Sequence, residues 1–264
     1  MWRRSVGCRV AGMLREILDD PRRRFPRHAG TPFVIGHAMP RRRVPCTADV
    51  VFHVINRGIR RARLFATPDD YRTFVLLLQE AVERVPIRLL AYCVMPNHFH
   101  LVLWPSADDQ LSRFMWWLCT THSKRWHVWR GSAGLGPVYQ GRFRAFPVQT
   151  DSHFLTVCRY VERNALRAGL VTKAEDWSWS SLDQRRRGTN TVTLAEWPVE
   201  RPDDWLELVN DREAAVDVET IRAALRGDKP FGSVSWTESM ANRCGQAPQE
   251  KLALNLARAG RGFE

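Results

Sequence analysis

Two histidines one residue apart, His98 and His100, begin the run HFHLVLW, and Met95-Pro96-Asn97 separates them from the apolar stretch that precedes them. Pro followed by Asn between two β-prone runs is a turn signal. The pattern predicts a strand over 87–94 and a hairpin partner over 98–104. Strand side chains alternate between faces, so His98 and His100 project from one face and Phe99 from the other. Two imidazoles so placed can hold one metal ion. A pair of strand histidines with no ligand is an equally ordinary outcome of this spacing.

Some sixty residues later, Phe154, Leu155, Cys158, Val161, Leu166 and Leu170 recur at helical spacing. They predict a helix over 152–168, with Gly169 ending it in a left-handed cap. Tyr160 and Asn164 are four residues apart and share a face of that helix. A phenol and a carboxamide can thus converge on whatever the histidines hold. A helical Tyr is more often a half-buried packing residue, and neither segment by itself carries an assignment.

The elements that must position these groups follow in order. A strand is expected over 50–56. A helix is expected over 68–85, with Thr67 as N-cap and Pro68 in its first turn. The hairpin 87–94/98–104 comes next, then a helix over 109–129, a Gly-rich loop over 131–137, a strand over 143–149 and the tyrosine helix. This βαββαβ order followed by a helix predicts an α+β chain with a ferredoxin-like antiparallel sheet.

Composition bounds the rest. The chain has 264 residues, 44% hydrophobic and 26% charged, enough to bury a core. It has no run of eighteen apolar residues, so no membrane span is expected. The start lacks the apolar core of a signal peptide. Six cysteines without a C-x-x-C pair fit reduced thiols in a cytoplasm better than a disulfide framework. The net charge of +12 points to a polyanionic partner. Residues 1–48 carry eleven arginines against three acidic residues, so most of that charge precedes the expected sheet. Residues 1–38 read as a basic, largely disordered extension with one short helix near 13–18. Residues 183–264 read as a mostly helical C-terminal extension, with helices near 217–225 and 235–242. They suit either a small DNA-binding module or an appendage that covers the sheet.

Several stretches together resemble the single-tyrosine transposases of the HUH endonuclease superfamily, and within it the REP-associated tyrosine transposase branch. They are Met39-Pro40-Arg41-Arg42-Arg43, Phe52-His53-Val54-Ile55-Asn56-Arg57-Gly58, Met95 to Leu101, Tyr139-Gln140-Gly141-Arg142-Phe143, Tyr160 to Val171, and Asp176-Trp177-Ser178-Trp179-Ser180-Ser181. The resemblance spans residues 39–182 and implies that Met39 is the usual start. Asn164-Ala165-Leu166 departs from the Asn-Pro-Val that relatives often carry.

The resemblance implies a chemistry. Tyr160 would attack a DNA phosphodiester, leave a covalent 5′-phosphotyrosine and free a 3′-OH. A phenol, with a pKa of about 10, is a weak nucleophile at neutral pH, and a divalent cation assists by polarising the phosphate. His98, His100 and, by its position in the motif, Asn164 would be the ligands. Mg²⁺ or Mn²⁺ suits this mixed set, and zinc also accepts such ligands. The implied substrate is single-stranded DNA folded into an imperfect hairpin of the REP type, bound by a monomer or homodimer in the cytoplasm. Arg57, Arg60, Gln140, Arg142 and Arg144 are candidate DNA contacts. Arg163 and Arg167, with Arg159, would form a phosphate-facing stripe. His53, His122, His127 and His153 show no partner pattern and read as structural. Two other readings stand beside this one: a hairpin-binding protein with a silent nucleophile, and a replication initiator or relaxase of the same superfamily.

Overall fold

The computed structural model describes residues 48–243. The basic extension, its short helix, the Met39–Arg43 motif and Cys8, Cys46 and Cys244 lie outside the described residues, as does everything after residue 243.

Four strands alternate with two helices in the expected order. Strand β1 is Val51–Arg57, helix α1 Pro68–Arg84, β2 Arg88–Met95, β3 His98–Trp104, α2 Gln110–Trp129 and β4 Arg144–Val148. The sheet runs β2-β3-β1-β4 with every neighbouring pair antiparallel. Helix α1 starts as its sequence predicts. Thr67 and Asp70 form a reciprocal capping box around Pro68, which satisfies first-turn N–H groups that have no helical acceptor.

Alternation sorts side chains to two faces. Phe52, Val54, Phe99, Leu101 and Leu103 pack with Phe74, Leu77, Leu78, Phe114 and Leu118 from α1 and α2. Val51, Val102, Phe146 and Val148 face the opposite way. A bulge between Leu89 and Ala91 sends both Leu90 and Ala91 to that second face.

The tyrosine helix covers the second face, with one difference from expectation. Instead of one helix over 152–168 there are two, α3 Ser152–Glu162 and α4 Asn164–Arg167, separated at Arg163. The Tyr160 carbonyl accepts from the Arg167 guanidinium at 3.0 Å. The chain restarts as a short turn that closes at Gly169, where φ is +67°. The amides of Gly169 and Leu170 bond back to Leu166 and Ala165 at 3.0 Å each, a paired C-terminal cap that the glycine allows.

After the tyrosine helix the chain straps the sheet edge. The Val94 amide bonds to the Trp179 carbonyl at 2.9 Å, the Trp177 indole donates to the Val94 carbonyl at 2.9 Å, and the Tyr92 amide donates to Ser181 Oγ at 3.0 Å. The tryptophan-serine segment therefore occupies the β2 edge, which would otherwise present open backbone groups. Ser180 caps helix α5, Ser181–Arg187.

Helices α6 Trp205–Asn210, α7 Ala215–Gly227 and α8 Val234–Arg243 follow. Their apolar residues are not set apart from the sheet. Trp205, Val209, Ile221 and Phe231 are buried with Tyr160 and Val161, while Met240 joins the core on the other face. Packing is thus continuous across position 183.

The join is partly polar. Glu162 is fully buried. One of its carboxylate oxygens accepts from Ser181 Oγ at 2.6 Å and the other from the Trp205 indole at 2.8 Å. A buried carboxylate is tolerable only when donors reach both oxygens. Trp205→Ala removes a large buried ring and one of those donors. It should lower stability by about 3–5 kcal/mol, read as a shift of the urea midpoint. A loss below about 0.5 kcal/mol, no more than ordinary surface substitutions show, would mean that α6 is not part of this core.

Candidate active site

The register of β1 against β3 assembles the centre. Ile55 lies opposite His100 and Arg57 opposite His98. Odd-numbered β1 residues therefore share a face with both histidines, and that face lies beneath Tyr160. The Tyr160 ring stands edge-on to His100, with centroids 5.8 Å apart. The His98 and His100 rings are 4.9 Å apart and nearly perpendicular. The sequence reading of one shared face is what the structure shows.

Asn164 is buried a turn beyond Tyr160, and its Nδ2 has no hydrogen-bond partner among the described residues. The next residue fixes the depth of this turn. The backbone N–H of Ala165 bonds the Cys93 thiol, and Cys93 pairs directly with His100. The 164–165 turn thus rests on the sheet at the level of His100. Ala165 supplies an N–H that a proline at this place would lack.

Each imidazole has a distinct supporting partner. His98 Nδ1 lies 2.6 Å from Asn97 Oδ1, while Asn97 Nδ2 donates to the Arg61 carbonyl at 3.2 Å. The carbonyl acceptor sets which way the Asn97 amide points. His98 must then carry its proton on Nδ1, which leaves Nε2 as a lone pair. His100 Nδ1 lies 2.8 Å from His53 Nε2. His53 is fully buried, stacks on His100 with ring centroids 5.0 Å apart, and stands 5.9 Å from the Tyr160 ring.

Asn97 and His53 are the residues the sequence reading missed. Asn97 had been read only as part of a turn, and His53 as structural. His53 sits two residues before the Ile55 that faces His100. Its place becomes visible only when the β1–β3 register is known.

Electrostatics favour neutral imidazoles. Burial, then the Arg57 and Arg167 charges, push His98 down from 6.5 to about 3. Burial and the Arg167 charge bring His53 to about 3. His100 falls well below the usual value, through burial first and then its two histidine neighbours and the arginines. Neutral imidazole is the form that offers a lone pair to a metal.

The arginines divide into two groups. Arg57 is half-buried opposite His98; its Nε has no hydrogen-bond partner among the described residues. Burial, then the Arg61 charge, holds its guanidinium below its ordinary value. Arg60, Gln140 and Arg142 are exposed. The Gln140 amide bonds to the Arg57 carbonyl at 2.9 Å, so the 139–142 loop runs beside Arg57. A groove next to this loop is lined by Asn56, Trp116, Lys124 and Arg142 among others, and Trp116 is 68% exposed.

The expected stripe of Arg159, Arg163 and Arg167 is different. Arg159 donates to the Asp211 carbonyl at 2.9 Å, and Arg163 to the Val209 and Asn210 carbonyls at 2.7 and 2.6 Å. Arg167 pairs with Glu213 at 2.5 Å while lying 4.0 Å over the Tyr160 ring. These guanidinium groups bind the end of α6 and the segment after it, where carbonyls at a helix C-terminus lack partners. Arg144 does the same for α7, donating to the Leu225 and Arg226 carbonyls at 3.0 and 2.7 Å. Arg144, Arg159 and Arg163 are thus engaged with the protein's own backbone.

Among the described residues, no group of three or more His, Cys, Asp or Glu side chains is arranged to hold a metal. No helix among them is long and apolar enough to cross a membrane.

Residues 46–164 match the family model described as "Transposase IS200 like". The chain is 25% identical over 126 residues to a putative REP-associated tyrosine transposase of Haemophilus influenzae, covering 43% of this chain and 69% of that protein. Among solved structures, a REP-associated tyrosine transposase bound to a REP hairpin aligns with 21% identity and a TM-score of 0.44, over 60% of this chain and 93% of the other. A putative transposase from Deinococcus radiodurans aligns with 16% identity and a TM-score of 0.33, over 42% and 88%.

The lowered histidine values carry a stability consequence. A folded-state value near 3, against about 6.5 unfolded, means the unfolded chain binds more protons between those limits. The histidine contribution to stability is therefore complete above pH 6.5 and declines as pH falls toward 3. In EDTA, the urea midpoint of the wild type should fall as pH drops below 6.5, and His98→Gln should fall less steeply. Equal slopes would show that His98 is not held neutral by burial.

Proposed function

We propose that the protein, whose residues 46–164 match the IS200-like transposase model, is a metal-dependent single-stranded DNA endonuclease and strand transferase acting beside DNA hairpins. The convergence of Tyr160 with His98 and His100 on one buried sheet face carries the reading. The family relation to a REP-associated protein suggests REP-like palindromes as the hairpins.

The residues present fit a divalent cation. Two neutral imidazoles share one sheet face, and the amide oxygen of Asn164, on the overlying turn, is of the neutral oxygen type such an ion accepts. His98, His100 and Asn164 would hold the ion. Asn164 would be the third donor, since among the described residues no carboxylate or cysteine joins the histidines. Such an all-neutral set suits Mg²⁺ or Mn²⁺ completed by phosphate oxygens and water. The bound cation would withdraw electron density from the scissile phosphate and balance charge on it.

The protein's own groups do the rest. Tyr160 Oη attacks phosphorus, the P–O3′ bond breaks, and the phenolic proton ends, net, on the released 3′ oxygen. The new phosphotyrosine ester keeps the phosphodiester bond energy, so a 3′-OH from another strand can reverse the step without ATP. Arg167, stacked on the phenol ring, fixes the ring's tilt. Arg57, beside His98, is placed for a non-bridging phosphate oxygen. Arg60, Arg142 and exposed Trp116 offer charge and a stacking face to the unpaired strand.

With labelled hairpin DNA and Mn²⁺, the wild type should form a covalent protein–DNA adduct. EDTA should abolish it, and Tyr160→Phe should abolish it while hairpin binding in a gel-shift assay persists. An adduct that survives Tyr160→Phe would overturn the nucleophile assignment. Hairpin binding by the wild type with no adduct would leave a DNA-binding protein with a silent centre.

A further inference from the structure

We propose that His53 is a positioning residue for this centre: its Nε2 accepts the Nδ1–H of His100 and so leaves His100 Nε2 as a lone pair for the divalent cation. The proposal rests on the metal-site reading above. It assigns a role to a side chain that is neither nucleophile nor ligand.

Proton counting makes the case. A neutral imidazole carries one N–H and one lone pair. The 2.8 Å contact between His53 Nε2 and His100 Nδ1 contains one proton, placed on one ring or the other. If His53 Nε2 holds it, the remaining proton of His100 sits on its own Nε2, and His100 has no lone pair for a cation. If His100 Nδ1 holds it, Nε2 is free and the proton of His53 sits on Nδ1. His53 Nδ1 is the buried atom with no hydrogen-bond partner among the described residues. The second arrangement therefore leaves a buried N–H of His53 without an acceptor among the described residues, a cost that a cation held at His100 Nε2 would offset.

His98 shows the contrast. Its tautomer is already fixed, because the Arg61 carbonyl orients Asn97 and Asn97 in turn accepts from His98 Nδ1. His100 has no such amide. Its only Nδ1 partner in the described residues is another imidazole, itself able to donate or accept. His53 is also held in place. It stacks on His100, meets the edge of Phe146 at 5.1 Å and lies against Tyr160. Its ring cannot swing away without opening the core on that face. A ligand histidine whose other nitrogen is held by a partner is oriented and made more basic, and loss of such partners weakens metal binding about 10–100-fold.

The test compares wild type, His53→Phe and His53→Gln by electron paramagnetic resonance titration with Mn²⁺ in the absence of DNA. Phe keeps the ring packing and removes the acceptor; Gln restores an acceptor near the Nε2 position. His53→Phe should bind Mn²⁺ about 10–100-fold more weakly, and His53→Gln should recover most of that loss. Hairpin affinity in EDTA should be the same for all three. Mn²⁺ binding by His53→Phe equal to wild type overturns the proposal, as does a His53→Gln protein that folds but binds as weakly as His53→Phe. If His53→Phe does not fold, imidazole ¹⁵N spectra of the wild type with Mg²⁺ decide. His100 protonated at Nδ1 supports the assignment, and protonation at Nε2 overturns it. A wild type that binds no Mn²⁺ at all would instead sink the metal-site reading itself.

Discussion

Antiparallel pairing of β1 with β3 in one fixed register decides which side chains meet beneath Tyr160. With Ile55 opposite His100 and Arg57 opposite His98, a histidine, an arginine and the two motif histidines share one face. A slip of one residue would send His53 and Arg57 to the other face and bring Phe52, Val54 and Asn56 into their places. That slip is opposed because Phe52, Val54 and Phe99 are buried against α1 and α2. The apolar face thus sets the register, and the register sets the polar face. Gly58 ends β1 where the chain turns sharply. A Cβ there would come within 2.4 Å of the Ala62 carbonyl oxygen, so the turn that brings Arg61 to Asn97 needs a residue without a side chain.

Dryness does the electrical work. Three imidazoles packed beneath a phenol, His53 and His100 buried and His98 partly so, cannot all be charged, and their neighbours include Arg57 and Arg167. Neutrality there comes from burial and repulsion together. The same surroundings leave a surplus of positive charge beside a patch of neutral donors. On the proposed function, an anionic phosphate entering there would supply charge to the arginines and oxygen atoms to the centre.

The local parts of the site were legible in the sequence. Alternation placed His98 and His100 together, and a four-residue interval placed Tyr160 near Asn164, because both periods are properties of the backbone itself. The break at Arg163 was not legible. It depends on Arg167 reaching back to the Tyr160 carbonyl, a choice made by side-chain packing. His53 was missed because its partner lies forty-seven residues away on a neighbouring strand. The partners of the arginine stripe were hidden for a related reason. Spacing gave its face correctly, but whether that face meets phosphate or protein depends on residues 209–213, whose position no local pattern predicts. The C-terminal helices were legible as a module or a covering appendage, but not that Trp205 and Val209 would complete the core beside Tyr160.

That completion explains how so many arginines can lie close to the tyrosine helix without driving it off the sheet. Arg159 and Arg163 spend their donors on carbonyls of the α6 end and the residue after it. Those carbonyls carry the partial negative charge of a helix C-terminus. Arg167 pairs with Glu213, stacks on Tyr160 and bonds its carbonyl. One guanidinium thus links the Tyr160 ring, its backbone and the C-terminal segment. On the other side of the helix, Glu162 reaches Ser181 and Trp205. Tyr160 is therefore held from both flanks by chain that comes after it. The precision of the centre depends as much on residues 181–213 as on the sheet that carries the histidines.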